Sequence, residues 1–296
     1  MAASEYWFDS QEGLRLYSRV YPAATAGAPV VLCLHGLMRT GRDFEDLAEH
    51  LAPRHRVIVP DVRGRGLSAR DPNHGNYQIP VYLADVLRLL NGLGAARVTI
   101  IGTSMGGLMA MVLAAMQPQL LAGIVLNDVG PEVDKAGLER IRGYAGKAPP
   151  VRDWAGAVAN VRAVYGPALP GISEARLEKL TRAGYREDAQ GIPQPDADPG
   201  IAEPLKDTSK AAPDLWPLWG AITKVPMLAI RGEQSDILSA ATVARMQREK
   251  PDLATLAVAD RGHAPLLDEP ECVRAIDEFL ARLHGQAPPQ GVAAAT

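Results

Sequence analysis

The chain has only two cysteines in 296 residues, too few for a disulfide framework. Cys33 falls in an apolar run and Cys272 in a helical pattern, so both read as buried thiols, and no metal site is expected. Neither sign of charge is in excess. The formal net charge is −3, which gives no reason to expect nucleic acid as a partner. Arg63, Arg65 and Arg70 do cluster, but with Asp61 and Asp71 beside them they read as a solvated or structural loop. No apolar run approaches the length of a membrane span. The first residues, Met1 to Tyr6, lack the basic and apolar regions of a secretory leader. The expectation is a cytoplasmic protein with no membrane association. No Gly-x-x-x-x-Gly-Lys occurs, and Gly64-x-Gly66 lacks a third glycine in register, so phosphate-loop and dinucleotide readings fail and no cofactor is expected. Internal repeats are absent too.

What is present is ordinary globular material, 47% apolar and 22% charged, with ample length for a sizeable core. Tyr6–Asp9 and Leu14–Tyr21 read as an antiparallel hairpin. Short, continuously apolar strands are expected at Pro29–Leu34, Arg56–Pro60, Val98–Thr103 and Leu121–Asn127, alternating with helices at Gly41–Leu51, Tyr77–Leu93 and Met105–Met116. That rhythm marks a mostly parallel sheet covered by helices on both faces. The rhythm breaks over 131–216, where helical patches appear at Lys135–Tyr144, Val151–Val164 and Ser173–Ala183, with a proline-rich piece after them. The stretch is too long for a structureless loop and reads as a helical cap inserted after the sixth strand. Alternation resumes with strands at Val225–Ile230 and Ala254–Val258 and helices at Ser239–Glu249 and Glu271–Leu283. The expected organisation is therefore a core in two parts, 1–130 and 217–285, a cap at 131–216, and a disordered tail at 286–296.

The chemistry centres on Gly102-Thr103-Ser104-Met105-Gly106. An apolar strand precedes this Gly-x-Ser-x-Gly and a helical run follows, the context that gives the pattern meaning. The glycines permit a sharp turn, Ser104 sits at its tip, and the Met105 N–H lies at a helix N-terminus, where it favours a developing oxyanion. A serine hydroxyl needs a base. Of six histidines, His50, His55, His74 and His284 read as surface residues and His35 as a hydrogen-bonding residue of its turn. His263, in Arg261-Gly262-His263 after a strand, is the expected base. Two aspartates compete to orient it. Asp128 follows Leu121–Asn127, where it is able to cap the turn into the cap; Asp236 follows Val225–Ile230 and has no other evident task. Asp236 is the expected acid, giving the chain order Ser104, Asp236, His263. The second oxyanion donor falls to the N–H of Leu37, after the third strand. Met38 and Arg39, just past it, are expected to touch substrate. Trp154, Trp216, Trp219 and Tyr144 are either pocket lining or packing, and Trp154 is taken as lining.

These residues resemble the α/β-hydrolase superfamily over nearly the whole chain, through Leu34-His35-Gly36, Asp61-Val62-Arg63-Gly64-Arg65-Gly66, Gly102-Thr103-Ser104-Met105-Gly106-Gly107, Asp236 and Gly262-His263. The Asp-x-Arg-Gly-x-Gly loop and the Ser-Met-Gly-Gly elbow look most like a capped bacterial branch of carboxylesterases, enol-lactonases and C–C hydrolases. That resemblance implies an α/β-hydrolase fold and attack by Ser104, with Leu37 and Met105 holding the oxyanion and His263 passing the proton to the leaving group. It implies neither cofactor nor metal. Threonine at position 103 differs from the Gly-His-Ser-x-Gly of many lipases, and Ser104 argues against dehalogenases and epoxide hydrolases, which use aspartate. The expected activity is hydrolysis of small to medium carboxylic esters, extending to polyesters. C–C bond or lactone hydrolysis by the same triad is the alternative, and a non-catalytic binding protein of the same fold a third reading.

Overall fold

β-Branched, continuously apolar segments build the middle of the molecule, because a strand covered on both faces has no solvent side to make polar. The computed structural model describes residues 3–207 and 214–285; the tail expected at 286–296 lies outside the described residues. In chain order the first elements are β1 (Ser4–Asp9), β2 (Arg15–Tyr21), β3 (Val30–Leu34), α1 (Glu45–Leu51), β4 (Arg56–Asp61), α2 (Ile79–Gly92), β5 (Val98–Thr103), α3 (Met105–Met116) and β6 (Leu121–Asn127). The inserted segment contributes α4 (Lys135–Tyr144), α5 (Trp154–Tyr165), α6 (Glu174–Gly184), β7 (Tyr185–Glu187) and β8 (Pro193–Pro195). The chain then returns through α7 (Trp216–Ala221), β9 (Met227–Gly232), α8 (Ala240–Glu249), β10 (Ala254–Val258) and α9 (Pro270–His284).

Eight strands form one sheet in the order β1-β2-β4-β3-β5-β6-β9-β10. The pairs β1–β2 and β2–β4 are antiparallel, and the other five are parallel. Alternate strand residues serve opposite faces, as the two-residue period requires. Leu32, Ile100, Leu126 and Ala229 pack under α2, α3 and α7, whereas Val31, Ile101, Val125 and Ile230 pack under α1 and α9. Registers Leu34↔Gly102, Thr103↔Asn127 and Val258↔Gly232 bring the carboxyl ends of these strands to one edge. Ligands gather at that edge in open parallel sheets.

The inserted segment has helices because its sequence starts them. Asp134, Asp153 and Ser173 each accept a backbone N–H at the first turn, the side-chain cap that satisfies an orphan donor. Its small apolar centre (Ala157, Val161, Leu177, Tyr185) is separate from the main core. Two features depart from expectation. The proline-rich piece contains the antiparallel hairpin β7–β8, whose three-residue strands are too short to show a period. Trp216 opens α7, which packs in the main core beside α3.

Candidate active site

Ser104 has φ 51° and ψ −113°, a backbone conformation that non-glycine residues rarely adopt and that is tolerated where the surroundings enforce it. The two glycines show how. A Cβ on Gly102 would meet the carbonyl carbon and oxygen of Gly106 at 2.5 Å, and one on Gly106 would meet the Leu34 carbonyl oxygen at 2.1 Å. Strand β5 and helix α3 are thus held close enough to turn Ser104 outward, half-buried at the cavity floor. Its N–H donates to the Asn127 carbonyl at 3.0 Å. The Asn127 amide donates to Thr103 Oγ1 at 3.0 Å and to the Pro265 carbonyl at 2.9 Å, joining the elbow to the loop that carries His263.

His263 Nε2 lies 2.9 Å from Ser104 Oγ, and Nδ1 lies 2.8 Å from Asp128 Oδ2. Since an ionised carboxylate only accepts, Nδ1 carries the proton and Nε2 accepts from the serine hydroxyl. Asp128 is fully buried. Its Oδ1 accepts the Gly232 N–H at 2.8 Å, and Oδ2 also accepts the Ser235 hydroxyl at 2.5 Å. Ser235 Oγ in turn accepts the N–H groups of Ile237 and Leu238.

The expectation for Asp236 is therefore corrected. Both its oxygens are held by Arg140 of α4, at 2.5 and 2.8 Å, and this guanidinium keeps its carboxyl below the ordinary range. The task that the sequence did not reveal is an ion pair with a residue 96 positions earlier. Asp128 sits instead between β6 and β9, adjacent strands, in line with the loop after β10.

The oxyanion candidates Leu37 and Met105 flank Ser104, one following the turn after β3 and one opening α3. Neither the Leu37 nor the Met105 N–H has a partner among the described residues, and a Cβ on Gly36 would lie 3.9 Å from the Ser104 Cβ. His35 is wholly buried. Nε2 accepts the Val62 N–H at 3.0 Å and Nδ1 donates to the Gly36 carbonyl at 2.8 Å, so it pins the turn as a neutral ring. Burial pushes its pKa down to about 4. His55, expected at the surface, is buried against the ring of His284.

Sequence reasoning missed Arg65, which it grouped with Arg63 in one loop. Arg63 is buried against Asp85 and Asp71 in salt bridges. Arg65 is equally buried and makes no salt bridge among the described residues. Its Nε donates to the Leu37 carbonyl at 2.9 Å, Nη1 to the Arg63 carbonyl at 2.7 Å, and Nη2 lies 3.5 Å from Met105 Sδ. The rings of Tyr77 and Tyr82 face its guanidinium, and burial pulls its pKa below the ordinary value. One cation thus touches both Leu37 and Met105. An unpaired buried cation is costly, and only the residue type, not its use, was visible in the sequence.

Met38 and Arg39 line the cavity above Ser104, with Ile141 and Tyr144 of α4, Tyr165 of α5 and Leu180 of α6. Trp154 does not, which corrects that expectation. Its indole N–H donates to Glu187 at 2.7 Å and Arg182 stacks 4.4 Å from the ring, away from the cavity. Trp216 is a core residue whose N–H donates to Glu132 at 3.0 Å. Among the described residues no group of histidine, cysteine, aspartate and glutamate is arranged to hold a metal ion, and no helix is long and apolar enough to cross a membrane.

Residues 29–157 match the family model described as the alpha/beta hydrolase fold. The chain is 32% identical over 271 residues to the 3-hydroxybutyrate-oligomer hydrolase of Cupriavidus necator, covering 86% of this chain and 89% of that protein. It is 26% identical over 253 residues to the 2-(acetamidomethylene)succinate hydrolase of Mesorhizobium japonicum, covering 85% and 88%. A crystal structure of an alpha/beta hydrolase from Novosphingobium aromaticivorans superposes with a TM-score of 0.89 at 42% identity, over 95% of this chain and 99% of that one. With the eight-stranded sheet and the elbow on its carboxyl edge, these relationships make the chain a member of the α/β-hydrolase family.

Proposed function

We propose that the protein cleaves carboxylic esters through an acyl-enzyme, with Ser104 as nucleophile, His263 as base and Asp128 as the carboxylate that orients it. The observation that carries this reading is the unbroken hydrogen-bond chain from Asp128 through His263 to Ser104, at 2.8 and 2.9 Å. Ser104 Oγ gives its proton to His263 Nε2 and bonds the ester carbon. The carbonyl oxygen becomes an oxyanion facing the N–H groups of Leu37 and Met105. Collapse expels the alkoxide, which takes the proton from His263 and leaves as an alcohol. Water, deprotonated by the same histidine, then attacks the acyl-serine and releases the acid and Ser104. Asp128 holds the Nδ1 proton and stabilises the imidazolium. The segment from 131 to α6 acts as the cap, since its residues form the roof of the cavity above Ser104.

Kinship with a 3-hydroxybutyrate-oligomer hydrolase favours esters, oligoesters included. The second relative supports an alternative, because 2-(acetamidomethylene)succinate is a substrate name that contains an amide and no ester. A panel of p-nitrophenyl esters of increasing acyl length, run beside an acetamidomethylene amide and a vinylogous dienoate, separates the readings. Ester turnover that Ser104→Ala abolishes at unchanged circular dichroism is the expected outcome. Residual ester activity within about tenfold of wild type would remove Ser104 from the mechanism, and turnover of the amide or the dienoate alone would replace the ester reading.

A further inference from the structure

The cavity above Ser104 is small, about 140 Å³, below the 300–1,000 Å³ common for ligand pockets. A second chamber of about 480 Å³ adjoins it under the same roof. Met38, Arg39, Tyr144 and Tyr165 belong to the walls of both. The two tyrosine rings, from the ends of α4 and α5, meet edge to face with centroids 5.9 Å apart, so side chains that line both chambers lie between them.

The two chambers differ in charge. In the first, cations are matched by carboxylates: Arg42 by Asp196, Arg176 by Asp268, and Lys179 by Asp46. The second has Arg39, Arg70 and Lys147 on its wall and no aspartate or glutamate. The Arg70 guanidinium has neither an ion pair nor a hydrogen bond among the described residues. The Lys147 ammonium donates to the Arg142 carbonyl at 2.9 Å and makes no ion pair among the described residues. Arg39 gives Nε and Nη2 to Asp43 and the Leu180 carbonyl. Its Nη1 lies beside Gly184, where a Cβ would come within 2.8 Å, so the glycine keeps that edge open on the wall of the second chamber.

We propose that the second chamber receives a carboxylate at the far end of the substrate, with Arg70 and Lys147 as its counter-charges and Arg39 at the partition. The preferred esters then carry a free acid several bonds from the scissile carbonyl, as a half-ester of a dicarboxylic acid or a short acid-terminated oligoester does. Arg70 and Lys147 are both exposed, so their attraction for an anion weakens with salt, and a carboxylate is the acceptor that both an ammonium and a guanidinium take. This inference rests on the ester reading of the first chamber.

The test is a comparison of kcat/KM by pH-stat for monoethyl adipate and 6-acetoxyhexanoate, each against its neutral analogue, ethyl hexanoate and hexyl acetate. The charged acid is on the acyl side in one probe and on the alcohol side in the other. The expected result is a preference of about tenfold for the charged member of at least one pair. That ratio should fall towards one in the Arg70→Gln/Lys147→Gln double variant, with unchanged melting temperature as the control for folding. Ratios near one in the wild type, or a preference that survives the double substitution, would overturn the anionic subsite while leaving the esterase intact. Failure to hydrolyse any of the four esters would instead overturn the ester reading itself.

Discussion

The floor and the roof of the site are held by different mixtures of contact. At the floor, Asp128, His263 and His35 are buried, and their partners are backbone groups and short polar side chains within the sheet edge. The roof is fastened both by buried ties, Thr40 Oγ1 to the Ala183 carbonyl and Arg39 to the Leu180 carbonyl, and by long side chains at the surface, Arg182 to Glu178, Arg162 to Glu174 and Lys179 to Asp46. Buried, fully satisfied networks fix a geometry, whereas exposed ion pairs contribute about 0–1 kcal/mol and weaken with salt. The floor network is buried throughout, whereas the roof adds exposed ion pairs to its buried ties.

The sharpest way to break that contrast is to exchange the roles of the two aspartates. Asp128→Asn should lower turnover of an activated ester on the order of 10⁴-fold, because the orienting carboxylate fixes the tautomer of the base. Asp236→Asn, which loosens α4 from the loop after β9, should stay within about tenfold of wild type. Turnover of both variants with folding checked by circular dichroism decides it, and a dead Asp236→Asn beside an active Asp128→Asn would reverse the assignment.

A second expectation concerns acid stability, which should be governed by the floor. Burial depresses His35 to about 4, whereas in the unfolded chain it titrates near 6.5. Between those values the unfolded state binds the proton and the folded state does not. Stability is thus complete above about pH 6.5 and declines as pH falls towards 4, by on the order of 3 kcal/mol from this residue. His55, also pushed down to about 4 by burial, adds in the same direction. Urea unfolding at pH 7 and pH 4.5 should show a smaller pH difference for His35→Gln than for wild type. Equal differences would exclude His35 as a source.

Arg65 is expected to give a smaller effect and sharpens the comparison, since at the floor it bonds the Leu37 carbonyl and lies against Met105. Arg65→Met keeps bulk but loses the bond to the Leu37 carbonyl. Loss of one oxyanion donor costs about 10²–10³ in kcat, and loosening the donors should cost about 10- to 100-fold in kcat with KM within about twofold. A merely structural role would lower the melting temperature with kcat per folded molecule intact. The smallest effect belongs to the roof. Trp154→Phe removes one hydrogen bond to Glu187 and should change acyl-length preference less than twofold and stability by about 1 kcal/mol or less. A shift of several-fold in the acyl profile would return Trp154 to the pocket.

Much of this protein was set by local pattern. Continuous apolar runs alternating with helical stretches made the sheet and its helices legible, and α3, β6 and α4 run over the expected residues. Ser104 and His263 were legible because each sits in a short pattern at a strand end, and such ends share one edge whatever the side chains do. Tertiary structure decided what depends on partners distant in the chain. Asp128 and Asp236 both follow strands, and nothing local told them apart. The difference lies in Arg140, which takes up one carboxylate, and in the Gly232 N–H and Ser235, which position the other. Arg65 and Arg63 look alike in sequence, yet one meets carboxylates and the other carbonyls and aromatic faces. Trp154 had the composition of a pocket residue but lies on a helix face turned towards Glu187 and Arg182. A residue's backbone state follows from its neighbours in sequence. Its charge partner, and hence its chemistry, follows from which chain segments the packed core brings within about 3 Å.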